Sequence, residues 1–344
     1  MSSFKTKAAV AAITSMFLIA GFSTPSFSIS RSLSPASVQS AASVTGSVLS
    51  ATALPLFGAH HRPLMTYAGL DKEGNKGKCA WGTVDGGYNG GGEKGYLLSE
   101  EAGICGDFAD NNLRLGFGLG QNNLYQETIY TGSQSGHGGY GVAEADYRMQ
   151  QANAIVSLTA FYGITHADIS RGYLVGPTPV TSSGETNIDT TAAKLMVNWP
   201  DAARLGGFSL SPRLSYTFSY SHAGSYSESG GTTPVHFNSQ SMMGHFFRLG
   251  LEGKKSFDGG RTTFIGTLEA VHYADNSGNI SGTIISGPVF TVGRSGAHHN
   301  WGRAGIDVDR NLGNGMILSG TLFGSTAGAI DADATGAISV KMPF

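Results

Sequence analysis

Charge is what this chain has least of. Lysine, arginine, aspartate and glutamate make up 13% of its 344 residues, about half the share of an ordinary soluble domain. The formal net charge of −2 leaves no basic excess of the kind nucleic-acid binding needs. Long apolar runs are scarce too. Beyond the amino-terminal stretch, no segment reaches the roughly twenty apolar residues of a spanning helix without a charge or a glycine. Two cysteines allow one disulfide at most. Gly-x-Ser-x-Gly, His-Glu-x-x-His and phosphate-loop patterns are absent, so the expectation is a protein that is not an enzyme and uses no cofactor. His60-His61 and His298-His299 read as loop histidines rather than metal ligands, because neighbours along a strand point to opposite faces.

The amino terminus has the layout of a secretory signal. Lys5 and Lys7 precede an apolar run from Ala8 to Phe22, and Ser26-Phe27-Ser28 offers small residues where a peptidase reads them. The expected division is a signal peptide at 1–28, a short segment at 29–78 and a β-domain at 79–344. Within the middle segment, Ser34 can cap a helix with Pro35 in its first turn. Small residues recur at helical spacing over about 35–54, and Pro55 is expected to end that helix. Its small side chains suit the inside of a narrow pore.

What the chain has in quantity is glycine, 51 residues, and alternation. From Cys79 onward, stretches near ten residues long put apolar side chains on one face and polar ones on the other. In the clearest, Leu210, Leu214, Tyr216, Phe218 and Tyr220 oppose Ser209, Ser211, Arg213, Ser215, Thr217, Ser219 and Ser221. Leu113, Leu115, Phe117 and Leu119 likewise oppose Gly116, Gly118 and Gly120, which leave space on the inner side. About twelve such strands are expected. Asp258-Gly259-Gly260 and 311–315 read as tight turns, whereas 176–185, 224–239 and 275–300 read as long polar loops. The final strand carries Ile338, Val340, Met342 and Phe344 on one side, the side expected to act as an assembly signal. A mean hydropathy of −0.06 is too polar for a helical membrane protein. It suits a barrel, in which lipid-facing and lumen-facing residues average out. The fold class expected is therefore all-β, a transmembrane antiparallel barrel of about twelve strands with a short N-terminal α-helix in or near the lumen. A soluble periplasmic β-protein is the alternative.

On this facing, Arg114, Glu144, Asp146, Arg148, Lys194, Arg213, Arg248, Glu252, Lys254, Glu269, Arg303, Asp307, Asp309 and Lys341 point into the lumen. Two readings of them stay open: a selectivity lining, or ion pairing around a plug helix. If the first hairpin turns at Gly90-Gly91-Gly92 with Gly92 as midpoint, Tyr88 faces Tyr96 and Cys79 faces Cys105. That spacing predicts a disulfide at the hairpin's open end.

Several segments carry a family resemblance. Leu210-Ser211-Pro212-Arg213-Leu214-Ser215-Tyr216, leading to Tyr226-Ser227-Glu228-Ser229-Gly230, resembles a proline-led strand followed by a Tyr-x-Glu-x-Gly loop. Phe246-Phe247-Arg248-Leu249-Gly250-Leu251-Glu252-Gly253 and the Phe344 ending accompany it. Residues 80–344 are thus similar to the translocator (β-domain) of autotransporters. The resemblance implies a twelve-stranded outer-membrane barrel that exports a segment joined to its amino end. It also implies outer-membrane lipid and the barrel-assembly machinery as partners, and a monomer. Two departures stand out. Residues 29–78 leave no room for a folded passenger, and 29–70 contain no Asn for self-cleavage within the helix. A small outer-membrane channel is the second functional reading.

Overall fold

The computed structural model describes residues 34–43, 55–67, 77–90, 94–293, 298–326 and 332–344. The expected signal peptide at 1–28, the second half of the expected helix (44–54) and the Gly91-Gly92 turn centre lie outside them.

Twelve strands form the wall: β1 (Lys78–Asn89), β2 (Gly95–Phe108), β3 (Leu113–Glu127), β4 (Ser133–Met149), β5 (Ala154–Val175), β6 (Thr178–Asn198), β7 (Phe208–Ala223), β8 (Gln240–Phe257), β9 (Thr262–Ser277), β10 (His298–Gly313), β11 (Met316–Ser325) and β12 (Ala334–Pro343). Each pairs antiparallel with the next, and β12 pairs with β1, so the sheet closes on itself. Closure removes the edge strands that an open sheet would expose. At the seam, the proline of the last strand sits at its end. There the ladder asks for no N–H, and Phe344 N takes over by donating to Lys78 O at 3.0 Å.

Burial alternates along each strand. The outward set is apolar and exposed: Leu119, Leu249, Leu268, Leu322 and Ile338 are each more than 60% accessible. In a soluble protein a continuous face of this kind would be an aggregation surface; around a closed barrel it is the surface lipid covers. The inward set is almost wholly buried and mixes charged and hydroxyl side chains with an apolar belt, including Phe161, Phe246, Val271 and Trp301, around Leu56 and Phe57, so the lumen is filled.

Two expectations about loops are corrected. Residues 176–185 are not a loop, because β5 and β6 run on to a two-residue turn at Gly176-Pro177. Ser182 is held from inside, by the Tyr173 hydroxyl and by donating to Gly230 O, at 3.0 Å each. The polar composition hid these partners. Residues 224–239 and 275–300 are not simply polar. They contain a four-stranded sheet (Val289–Val292, Ile280–Ile284, Val235–Phe237, Tyr226–Ser227) folded over one mouth of the barrel. Its strands are too short to register as a pattern, yet Val235, Phe237, Ile280 and Ile284 are buried against the wall residues Ala167, Ile169 and Ile188.

The described part of the helix, α1 (Pro35–Ala42), lies under this small sheet, with Val38, Ala41 and Ala42 in the same apolar cluster. Ser34 caps it, accepting from Ser37 N at 3.1 Å. Whether Pro55 ends the expected helix falls on 44–54, outside the described residues. Pro55 itself opens a helical turn at 55–57, where its missing N–H costs nothing, and its carbonyl accepts from His60 N at 2.9 Å. The tight turns after β4, β8 and β10 lie at the opposite end of the barrel, where Met65 and Thr66 stand beside Arg148, Gln150 and Asn153, so α1 marks the loop end and residues 55–67 reach the turn end.

Candidate functional site

The site is the lumen itself. Residues 55–67 pass between inward side chains that bind this segment's backbone as well as its side chains. Glu144 accepts from Leu64 N at 2.8 Å, and Asp146 accepts from Met65 N at 2.9 Å. In the other polarity, Arg114 donates to Leu64 O at 3.1 Å and Arg213 to His61 O at 3.2 Å. Lys194 donates to Leu56 O at 2.9 Å and also to His60 O. An irregular backbone away from water needs each of its polar groups paired, and here the wall supplies the partners that a helix or sheet would otherwise provide.

Side chains add a second set of contacts. His60 Nε2 lies 2.8 Å from Glu101 and Nδ1 2.5 Å from Glu144. Both partners are acceptors, so a doubly protonated imidazole bridges β2 and β4. Trp81 Nε1 donates to the same Glu101 at 2.6 Å. His61 Nε2 sits 2.8 Å from Asp307 as an ion-pair contact, out of line for a hydrogen bond. Arg62 forks onto Asp309 at 3.0 and 3.1 Å and covers the Tyr67 ring, which Lys341 approaches to 3.6 Å. Arg248 lies over Phe57 at 3.5 Å. Beyond it, Glu269 receives Arg213, Arg248 and Arg303 at 2.8, 3.5 and 3.0 Å, and Glu252 pairs with Arg213.

The wall has to be thin where the segment is thick. A Cβ on Gly116 would stand 2.7 Å from Leu64 Cδ1, and one on Gly118 3.0 Å from the Trp81 ring. These inward glycines make room for side chains of the segment and of β1.

At the loop end, Arg171 of β5 is a second anchor. It forks onto Glu228 of the Tyr-x-Glu-x-Gly loop at 2.7 and 2.8 Å, and donates to Ser37 of α1 at 3.0 Å. Both ion-pair side chains are fully buried. Burial pushes the Glu228 carboxyl above its ordinary range, while Arg171 works to lower it. At the turn end, Arg148 and Lys254 line a half-open cavity of about 480 Å³. There Lys254 pairs with Asp201 at 3.1 Å, both partly exposed.

The structure thus places Arg114, Glu144, Asp146, Lys194, Arg213, Arg248, Glu252, Glu269, Arg303, Asp307, Asp309 and Lys341 inside the barrel and Arg148 and Lys254 at its mouth. Cys79 and Cys105 are joined, with Cα atoms 4.9 Å apart. Ile338 and Met342 point outward with Phe344. His60 and His61 lie in a turn at 58–61, outside the strands as expected, but they are buried, and the turn lets both adjacent rings find carboxylates, which a strand would have forbidden. His298 and His299, also read as loop residues, instead open β10. Sequence reasoning also missed Glu101, Arg62 and Arg171, and met Glu228 only within the Tyr-x-Glu-x-Gly resemblance, without its partner. For Glu101 the signal was present: in the Gly92-centred register it faces Thr83, on the same inward phase as Cys79.

Fold and site define a class, the transmembrane β-barrel whose lumen is occupied by its own amino-terminal segment. The family model for the autotransporter β-domain matches residues 76–322, and the chain belongs to that family. Among solved structures, it resembles the translocator domain of the autotransporter NalP from Neisseria meningitidis. That match has a TM-score of 0.65 and 16% identity and covers 90% of this chain and 100% of that one. It also resembles the β-domain of the Bordetella autotransporter BrkA, with a TM-score of 0.54 and 12% identity over 78% of this chain and all of that one. No curated protein matches by sequence.

Proposed function

We propose that this β-domain resides in the cell outer membrane as a monomeric translocator-type pore held shut from within by α1 and residues 55–67. The turn end then faces the periplasm, and the barrel-assembly machinery engages the closing strand. The observation that carries the reading is the use made of the lumen charges. Arg114, Glu144, Asp146, Lys194 and Arg213 are spent on the backbone of 56–65, so they are not free to line a water-filled selectivity path. No catalysis is assigned to the lumen, whose acids and bases hold the segment.

Planar-bilayer recording tests this. The full chain should insert with little conductance, and a chain lacking residues 34–66 should give large, stable openings. Equal conductance from the two would reject the plug and favour the channel reading.

A further inference from the structure

On the outer wall, near the loop end, one cluster has no part in holding the barrel or its plug. We propose that His166, Asp168 and Glu185, assisted by His137, form a site for a divalent transition-metal ion of the zinc class. His166 and Asp168 stand two residues apart on β5 and so share its outer face, and Glu185 comes from β6 alongside. One ligand atom from each of the three lies within 4.8 Å of the others. His137 is directly opposite His166 on β4, with ring centroids 5.4 Å apart.

The orientation of His166 points to a cation. Its Nδ1 lies 3.0 Å from the Asn187 side-chain oxygen, an acceptor, so that contact holds the ring by Nδ1 and leaves Nε2 turned to the carboxylates. Nε2 faces Asp168 Oδ1 at 4.0 Å and Glu185 Oε2 at 3.7 Å. Three atoms of ligand type converge, at distances too long for hydrogen bonds. Fixing one imidazole nitrogen through the other is how metal-binding histidines are held. Zinc bonds near 2.1 Å set tetrahedral ligand atoms roughly 3.4 Å apart, so modest side-chain rotation closes the set.

The surroundings agree. The outward positions of β4, β5 and β6 at this height carry neither Lys nor Arg, so on these strands no Lys or Arg balances the two carboxylates. A groove of about 450 Å³ between Asp168, Glu185 and the serines 133, 135, 227 and 229 adjoins the cluster and leaves open positions for water or an outside ligand. Mixed imidazole and carboxylate donors select a zinc-class ion over calcium or magnesium, which take oxygen alone. All the donors project from paired strands, so the site is held by the barrel ladder rather than by a loop.

Isothermal titration of ZnCl₂ into the tag-free full chain, folded in detergent micelles, decides the matter. One zinc should bind per chain. His166→Ala and the double variant Asp168→Asn/Glu185→Gln should each weaken binding at least about tenfold. His272→Ala should leave it unchanged: that ring stacks on His298 with centroids 6.1 Å apart and is bonded to Asn300, so it controls for histidine pairing alone. The heat-modifiable gel band of each variant confirms that the barrel has folded. Absence of zinc binding in the parent chain, or binding retained by both site variants, overturns the proposal.

Discussion

At the scale of single residues, Glu144 concentrates the logic of the lumen. Its two oxygens serve different partners, the His60 ring and the Leu64 amide. Replacing it by Ala strands a buried cation and an unpaired N–H together, a loss on the order of 3 kcal/mol in docking of the segment, or roughly a hundredfold in the docked-to-undocked ratio. Glu144→Gln keeps an acceptor for Leu64 and loses only the charge, so it should fall between Ala and the parent. Open probability in bilayers ranks the three. An Ala variant as closed as the parent would mean that Glu144 does not hold the segment.

At the scale of elements, the wall was legible from alternation because one face of every strand meets lipid and the other meets a polar lumen. Leu214 shows the lipid side. It is 49% accessible and lies between Val197 of β6 and Leu249 of β8. Leu214→Arg should cost roughly 2–4 kcal/mol near the membrane midplane, whereas the volume-conserving Leu214→Met should stay under about 1.5 kcal/mol. Urea titration of the barrel folded in lipid vesicles measures both, and equal stability of the two variants would mean that residue 214 does not face lipid. The first hairpin was equally legible. A turn centred on Gly92 sets Tyr88 opposite Tyr96 and Cys79 opposite Cys105, and these are the pairs in the structure. The small sheet over the mouth was not legible, since strands of two to five residues carry too few alternations to stand out from a loop. The grip on 55–67 was hidden for another reason. Its contacts join residues as far apart as Arg62 and Asp309 and depend on an irregular backbone that has no period to read.

At the scale of the whole molecule, a closed barrel and an internal segment explain each other. The wall needs its inward charges paired, and the segment needs its backbone paired, and each satisfies the other. The β-domain fold is shared with NalP and BrkA at 16% and 12% identity, so the architecture rests on alternation and closure rather than on particular side chains. The most direct measurement is amide hydrogen exchange of the full chain in micelles, read at Leu64 and Met65, whose N–H groups have carboxylate partners on the wall and none in their own segment. With the segment docked, both amides should exchange at least about a thousandfold more slowly than in an unstructured peptide, alongside the barrel strands. Exchange at the unstructured rate would contradict it, because the lumen charges would then be holding nothing.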